Sequence, residues 1–392
     1  MSTRPDIGPP RDECELEQFG RIVTEAFVVP ADRTPPYFDA VGRENLRLLR
    51  RDDTFIGGLA VLPKGQWFGG QAVPMAGIAV VAVPPEHRAG GAATELLSAV
   101  LRELYDGGCP LSTLYPATVA LYRRVGYELA GISCEVTLPA KSIDLRDRTL
   151  AVRAATPADE PQIRAVYRQA AARTAGNLDR SEFNWWRVRE QRGEKAQAYV
   201  VCRGPAVEGY AYLLSQSVDM AHANLRVLDM AAVTPEAARR VLTLIADHRT
   251  VRDQVIFRSG PFDPLLMHLA ELPITAIGRT PWMTRIVHVP RALAARGYPA
   301  GVAAELHLDV RDEVLAENNG RWVLHVADGH GEVHPGGRGT LAVHVRGLAA
   351  LYTGFLTPAE LVLAGLASGP APDLAAAAAP FAGPTPWMRD NF

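Results

Sequence analysis

The chain has 392 residues, too many for one ordinary hydrophobic core; at roughly 150 residues per domain it predicts two or three domains. It is 48% hydrophobic and 21% charged, and its 41 Lys and Arg against 43 Asp and Glu give a net charge of −2. That composition excludes a disordered chain and argues against a broad basic surface for nucleic acid or anionic membrane. The opening Met1-Ser-Thr-Arg-Pro-Asp6 lacks the apolar core of a secretory signal. The longest apolar run, near Met75 to Pro85, is about half the roughly 20 residues of a spanning helix. Cys14, Cys109, Cys134 and Cys202 form no C-x-x-C pair, so neither a disulfide framework nor a zinc ribbon is expected, and the expected location is cytoplasmic.

In chain order, Leu16, Phe19, Ile22, Val23 and Phe27 recur at helical spacing and predict a helix over 15–27. Strands are predicted over 54–62 and 71–83, with Pro63-Lys64-Gly65 and Gly69-Gly70 as turns between them. A helix follows Gly91, with Leu96, Leu97, Val100, Leu101 and Leu104 on one face and Gly107-Gly108 at its end. A strand over 109–115, a short helix over 118–125 and a long strand over 127–138 complete an α/β unit with helices on both faces.

The charged stretch 141–148 reads as a linker. A strand over 150–153 follows, and Thr156-Pro157-Ala158-Asp159-Glu160 has the N-cap threonine, early proline and first-turn acids of a helix start. Strands are predicted over 198–202, 209–214, 225–233 and 254–258, with a helix over 234–248 between the last two. A helix over 264–272 and a strand over 282–289 end this half as the first half ends, which suggests a degenerate duplication. From Pro290 onward, strands near 305–310, 322–326 and 340–345 precede helices near 347–354, 358–366 and 373–381, the order of an α+β domain. The expected domains are therefore 1–145, 146–289 and 290–392.

The stretch most informative about chemistry is Val81-Ala82-Val83-Pro84-Pro85-Glu86-His87-Arg88-Ala89-Gly90-Gly91-Ala92-Ala93-Thr94, between a strand and an amphipathic helix. Small residues there let backbone approach a ligand closely, and the helix N-terminus supplies unpaired N–H groups and a positive dipole end. This is the make-up of a pyrophosphate cradle, with Arg88 as an added charge. It lacks the G-K-[ST] of a nucleotide P-loop and the G-x-G-x-x-G of a dinucleotide fold, and an ordinary tight turn is the other reading.

The run Arg88-x-x-Gly91-x-Ala93 after a V-x-V-x-P strand resembles the acetyl-coenzyme A loop of the GNAT N-acetyltransferases. Downstream, Tyr122-Arg-Arg-Val-Gly126-Tyr127 resembles that family's Y-x-x-x-G-[F/Y] segment. Over nearly the whole chain, the pattern resembles the Eis (enhanced intracellular survival) acetyltransferases: two tandem GNAT-like domains, the second without a cofactor loop, followed by a sterol-carrier-like α+β domain. The match is strongest at Pro74-Met-Ala-Gly77, at 81–94 and at 114–127.

The resemblance implies an acetyl-CoA-dependent N-acetyltransferase that acts on small amines, aminoglycoside-like polyamines or lysine side chains, in a ternary complex and as a homohexamer. It implies that the backbone of Val81, Ala82 and Val83 pairs with the pantetheine arm and that Arg88, Ala89, Gly90, Gly91, Ala92, Ala93 and Thr94 hold the pyrophosphate. Ala117 and Thr118 would lie beside the cofactor. Ala89-Gly90 stand where many members carry basic residues, so weaker attraction for coenzyme A is expected. Tyr122 takes the place of the general acid and the Phe392 α-carboxylate that of the base. A phenol of pKa near ~10 can protonate a thiolate of pKa near ~8.5. A carboxylate of pKa near ~3.5 is a weak base, so position and desolvation must supply its benefit. Trp387, Met388 and Phe392 predict a tail docked in a groove, either in the site or merely to tie down the end.

Other clusters have plainer readings. His325, His330, His334 and His344 read as surface-loop residues, with no metal expected. Phe183 and Trp185-Trp186 read as core or interface packing. The acids Asp12, Glu13, Glu15 and Glu17 suit either a helix start or a cationic substrate. The resemblance implies an acidic pocket for polycations, but Val28-Val29 and Asn391 occupy its segments here and no such pocket is readable. The competing function is a non-catalytic coenzyme A-binding scaffold, which thiol release on an amine panel separates from the enzyme.

Overall fold

The computed structural model describes residues 6–191, 193–219 and 222–392. Contacts divide the chain into two compact units. One holds the chain up to Ala130 together with Trp282–Gly383 and Phe392; the other holds Gly131–Pro281 and Pro384–Asn391. These contact units are not the consecutive stretches 1–145, 146–289 and 290–392, because two long strands run from one unit into the other. The strand Glu128–Pro139 leaves the first unit after Ala130, and Ala276–Ile286 enters it at Trp282. Among the described residues no helix is long and apolar enough to cross a membrane.

In the first unit, Asp12 starts the helix Glu13–Phe27 by accepting a 2.9 Å hydrogen bond from the Glu15 N–H, and the helix buries Phe19 and Val23. The strands Asp6–Gly8, Leu46–Arg51, Thr54–Phe68 and Gln71–Ala82 pair antiparallel in sequence order. Pro63-Lys64-Gly65 is not a turn: Pro63 stays in the ladder opposite Ala76, and the chain reverses at Gly69-Gly70, both at positive φ. Gly69 also lies so close to the Gly297 carbonyl that no Cβ fits. The helix Ala92–Asp106 buries Ala92, Leu96, Leu97, Val100 and Leu101 against Leu49, Ile56, Ala76 and Ile78 of the sheet. Leu111–Leu114 then pairs parallel to Gln71–Ala82, and Met283 to Ile286 pair antiparallel on its far side.

The strand expected to reach 289 ends at Ile286, and Pro290 lies in the first turn of a helix, Val289–Ala295. Beyond it a five-stranded sheet runs in the order His330–Pro335, Gly320–Ala327, Ala304–Arg311, Leu341–His344, Ala367–Ser368. The helices Val345–Thr353, Pro358–Leu363 and Ala371–Ala378 accompany it. This sheet is tied to the larger one by a wholly buried pair. Arg285 Nη2 lies 2.7 Å from each Asp312 oxygen, and Asp312 also accepts from Asn318 Nδ2 at 2.9 Å.

The second unit repeats the plan. Ala151–Ala154, Gln197–Arg203, Ala206–Ser217 and Ala223–Ala232 pair antiparallel. Gln254–Ser259 then pairs parallel to Ala223–Ala232, and residues 134–139 pair antiparallel to Gln254–Ser259. A capping box of Thr156 and Asp159 opens the helix region that continues as Glu160–Ala172. The helix Pro235–Ala246 begins directly after its strand, with Thr234 accepting from the Ala237 N–H at 3.2 Å. The helix expected over 264–272 is only the 3-10 turn Pro264–His268. Pro273 follows too closely for a longer helix to recover its nucleation cost, and it biases Leu272 toward extended backbone.

Asp312→Asn leaves a buried guanidinium without its counter-charge. We expect it to destabilise the first unit by about 3–5 kcal/mol in urea unfolding, with much of the loss recovered in Arg285→Met/Asp312→Leu.

Candidate active site

The parallel strands Gln71–Ala82 and Leu111–Leu114 pair only over Met75, Ala76 and Gly77, opposite Leu111, Ser112 and Thr113. Past Gly77 they diverge. On its other edge, Gln71–Ala82 carries a bulge, since Ala60 faces Ala79 while Gly58 faces Ala82. The bulge holds Val80 at φ 47°, an outlier for a β-branched residue. The unbroken apolar run around Val80 carries no sign of it. The backbone of Val81, Ala82 and Val83 is thereby turned along the opening, as a free strand edge that an extended arm can join.

The chain then makes the 3-10 turn Pro85–His87 and enters the glycine-rich loop. Ala89 (φ 62°) and Gly91 (φ 79°) are left-handed, a geometry that gathers successive N–H groups into an anion-binding concavity. No side chain caps the helix Ala92–Asp106, which leaves its first N–H groups, among them those of Ala92, Ala93 and Thr94, without a side-chain partner. A Cβ on Gly91 would meet nothing within 4 Å, so the concavity is open as well as polar. Arg88, Ala89 and Gly90 are exposed on its rim. Arg88 Nε donates to the Val83 carbonyl at 3.0 Å, which ties the loop to the strand end. Ala117 and Thr118 are exposed before the short helix Val119–Arg124, which Thr118 precedes without capping. The loop therefore fits a diphosphate group by its own geometry.

Tyr122, in that short helix, is buried, and burial alone pushes its hydroxyl up to about 12. Its ring stands edge-on to Tyr127 at 6.0 Å. The two phenols differ sharply. The Tyr127 hydroxyl lies 2.7 Å from Ser112 Oγ, which itself donates to the Ala76 carbonyl. Among the described residues nothing hydrogen-bonds the Tyr122 hydroxyl, so it has a proton to offer and no local acceptor for it.

Phe392 sits where the strand pair ends. A Cβ on Gly77 would stand 2.7 Å from its ring, so only glycine leaves room for the ring in this position. Tyr115 packs edge-on to the ring at 5.8 Å, and Lys64 Nζ lies 4.1 Å from its centre. Thr113, buried beside this seat, bonds Gln66 at 2.9 Å and Thr284 at 3.0 Å, which fixes the strand end. Lys64 and Tyr115 carry no local signature of this contact with Phe392. Their role is visible only once residue 392 is placed.

The remaining clusters take structural parts. Glu15 pairs with buried Arg50 at 2.5 Å, which pulls its carboxyl down to about 2, and Glu13 pairs with Arg43. Asp12 caps its helix, so these acids are committed locally. The described residues contain no group of side chains that could hold a metal, the four histidines included. Trp185 stacks edge-on with Tyr167, and Trp186 packs on Phe183.

Residues 10–130 and 176–286 each match the acetyltransferase (GNAT) domain, and residues 289–389 match the sterol carrier protein domain. The crystal structure of a GCN5-related N-acetyltransferase from Anabaena variabilis is 38% identical, with a TM-score of 0.94 over 99% of this chain and 100% of that one. Eis1 from Mycobacterium abscessus is 25% identical, with a TM-score of 0.80 over 99% and 100% of the two chains. The N-acetyltransferase Eis of Mycobacterium tuberculosis (strain CDC 1551 / Oshkosh) is 27% identical over 285 residues, 68% of this chain and 67% of that relative.

The raised Tyr122 hydroxyl has a testable signature. The folded chain keeps this proton up to about 12, while an unfolded tyrosine loses it near ~10. Stability is therefore untouched below the unfolded value and falls as pH rises through the folded one. Urea midpoints compared near ~pH 9 and ~pH 12 should shift in favour of Tyr122→Phe over the native chain, by up to about 2–3 kcal/mol.

Proposed function

The chain belongs to the GCN5-related N-acetyltransferases, with the Eis enzymes among its homologues, and from that premise we propose that it transfers acetyl from acetyl-coenzyme A to amines by direct attack in a ternary complex. The fold implies acetyl-coenzyme A as donor, and the bound donor supplies an acetyl thioester. The observation that carries the proposal is the place of Phe392, packed on Gly77 where the parallel pair ends and the open strand edge begins.

In this reading the N–H groups of residues 89–94 hold the diphosphate, and the backbone of Val81 to Val83 aligns the arm. The Phe392 α-carboxylate takes a proton from the acceptor ammonium, and the free amine attacks the thioester carbonyl. An N–C bond forms and the C–S bond breaks. The departing sulfur takes the Tyr122 hydroxyl proton, the second proton of the new amide nitrogen passes through solvent to the tyrosinate, and the Phe392 carboxyl returns its proton to solvent. A phenol at about 12 is a poor donor to a thiolate in water. Within the protein, burial raises thiols too, as it does at Cys109, which narrows the gap.

Amines of the aminoglycoside or lysine type are the proposed acceptors, and a homohexameric, cytoplasmic enzyme is the proposed form. Light scattering tests the assembly, and a monomeric mass would overturn it. Tyr122→Phe should lower kcat by about 100-fold while acetyl-coenzyme A affinity changes by less than about twofold. A short C-terminal extension should likewise depress turnover and spare donor binding. Full turnover in both would remove these two residues from the mechanism.

A further inference from the structure

Two features of the tail call for different explanations. Trp387 and Met388 are buried, and the backbone around them is paired. Trp387 N–H donates to the Ala175 carbonyl at 2.8 Å, Ile132 N–H to Pro386 at 3.1 Å and Met388 N–H to Ile132 at 3.3 Å. Apolar packing and these bonds suffice to tie down a chain end. The next two residues then enter a buried cluster of two arginines and two aspartates.

Arg180 Nη1 lies 2.5 Å from Asp229 and Arg180 Nε 2.9 Å from Asp390, with side-chain exposures of 1%, 0% and 6% for the three residues. Arg389 Nη1 reaches Asp229 at 3.1 Å and the Met230 carbonyl at 2.6 Å, and the Arg389 N–H donates to Asn177 at 3.1 Å. Tyr210 donates to Asp229 at 2.6 Å, and the Tyr167 ring lies 3.8 Å beneath the Arg180 guanidinium. Burying four charges costs desolvation that apolar side chains of similar size would avoid, so net stability does not account for the choice. A charge lattice with fixed hydrogen-bond directions does something apolar contacts do not: it admits one placement of the chain.

We propose that Asp390, gripped by Arg180, is a positioning residue for the reaction: it fixes the chain two residues before Phe392 and so confines the carboxylate assigned as base. Two residues span at most about 7 Å, so an anchored Asp390 leaves the terminal group little excursion. A weak base whose benefit is placement depends on such an anchor. The inference rests on the reading of Phe392 given above.

The test uses the full chain with Asp390→Asn, which keeps the shape and removes the charge. Release of Phe392 by carboxypeptidase A is followed well below the melting transition, alongside kcat and acetyl-coenzyme A affinity. We expect release at least ~10-fold faster and kcat at least ~10-fold lower, with affinity within about twofold and Asp390→Glu intermediate. A stability role alone would lower the melting midpoint and leave both rates unchanged under folded conditions. Should Asp390→Asn fail to fold, Asp390→Glu carries the same two readouts. Native release rates, or faster release with native kcat, would overturn the proposal. If instead a native-sequence chain trimmed of Phe392 keeps its turnover, the assignment of the base fails, and the release rate still reports whether Asp390 holds the end.

Discussion

Every backbone N–H and C=O needs a partner, and parallel strands that separate after three residue pairs withdraw it along a whole edge. Both units contain such a pair, and they meet the demand differently. In the first, the edge past Gly77 stays open and the following helix begins uncapped. In the second, Leu225 to Val227 pair with Val255 to Phe257 and the strands then part, but the chain fills the gap itself. Pro386 and Met388 bond Ile132, Arg389 bonds the Met230 carbonyl, and Trp387 lies where a Cβ on Gly260 would come within 2.9 Å of its ring. Thr234 caps the adjoining helix by accepting from the Ala237 N–H, where the first unit's helix has no side-chain cap. The second unit is a relative of the first whose cleft has become the socket for a peptide.

Charge is used in the same economical way elsewhere. Glu128 is shared between Arg123 and Arg346, and Asp312 between Arg285 and Asn318. Arg296 is buried among the rings of Tyr298, Tyr352 and Phe381 and donates to the carbonyls of Gly297 and Tyr352. Burial pulls its guanidinium down from the usual arginine range. Each of these buried charges is thus matched at close range by a counter-charge, an amide or a carbonyl.

The parts of the fold legible in the sequence are those governed by local period and local chemistry. The helices Glu13–Phe27 and Ala92–Asp106 show a 3.6-residue stripe, and the loop before the second shows its glycines. Pro63 and Gly65 have turn-like identities, but their cross-strand partners, Ala76 and Pro74, hold them in the ladder. The helix Glu182–Arg189 is not legible because its buried face includes the polar Asn184 while Trp186 lies off it, so its apolar residues make no stripe. The bulge at Val80 leaves the apolar run around it unbroken. Arg180 and Asp390, 210 positions apart, have no local signature at all. The glycine-rich loop and Tyr122 belong to local motifs, whereas the seat of Phe392 is assembled from three distant segments.

The crossing of the strands has a consequence for biosynthesis. Leu111–Leu114 gains its antiparallel neighbour only from Met283 to Ile286, so the first unit cannot finish its sheet when its own first stretch emerges from the ribosome. At ordinary elongation rates, the chain between them takes roughly 10–30 s to synthesise. Through that interval the free edge of Leu111–Leu114 must be kept from other chains. An N-terminal fragment ending near Ala130 is therefore a poor candidate for isolated expression, and the nascent protein a natural client for holding chaperones.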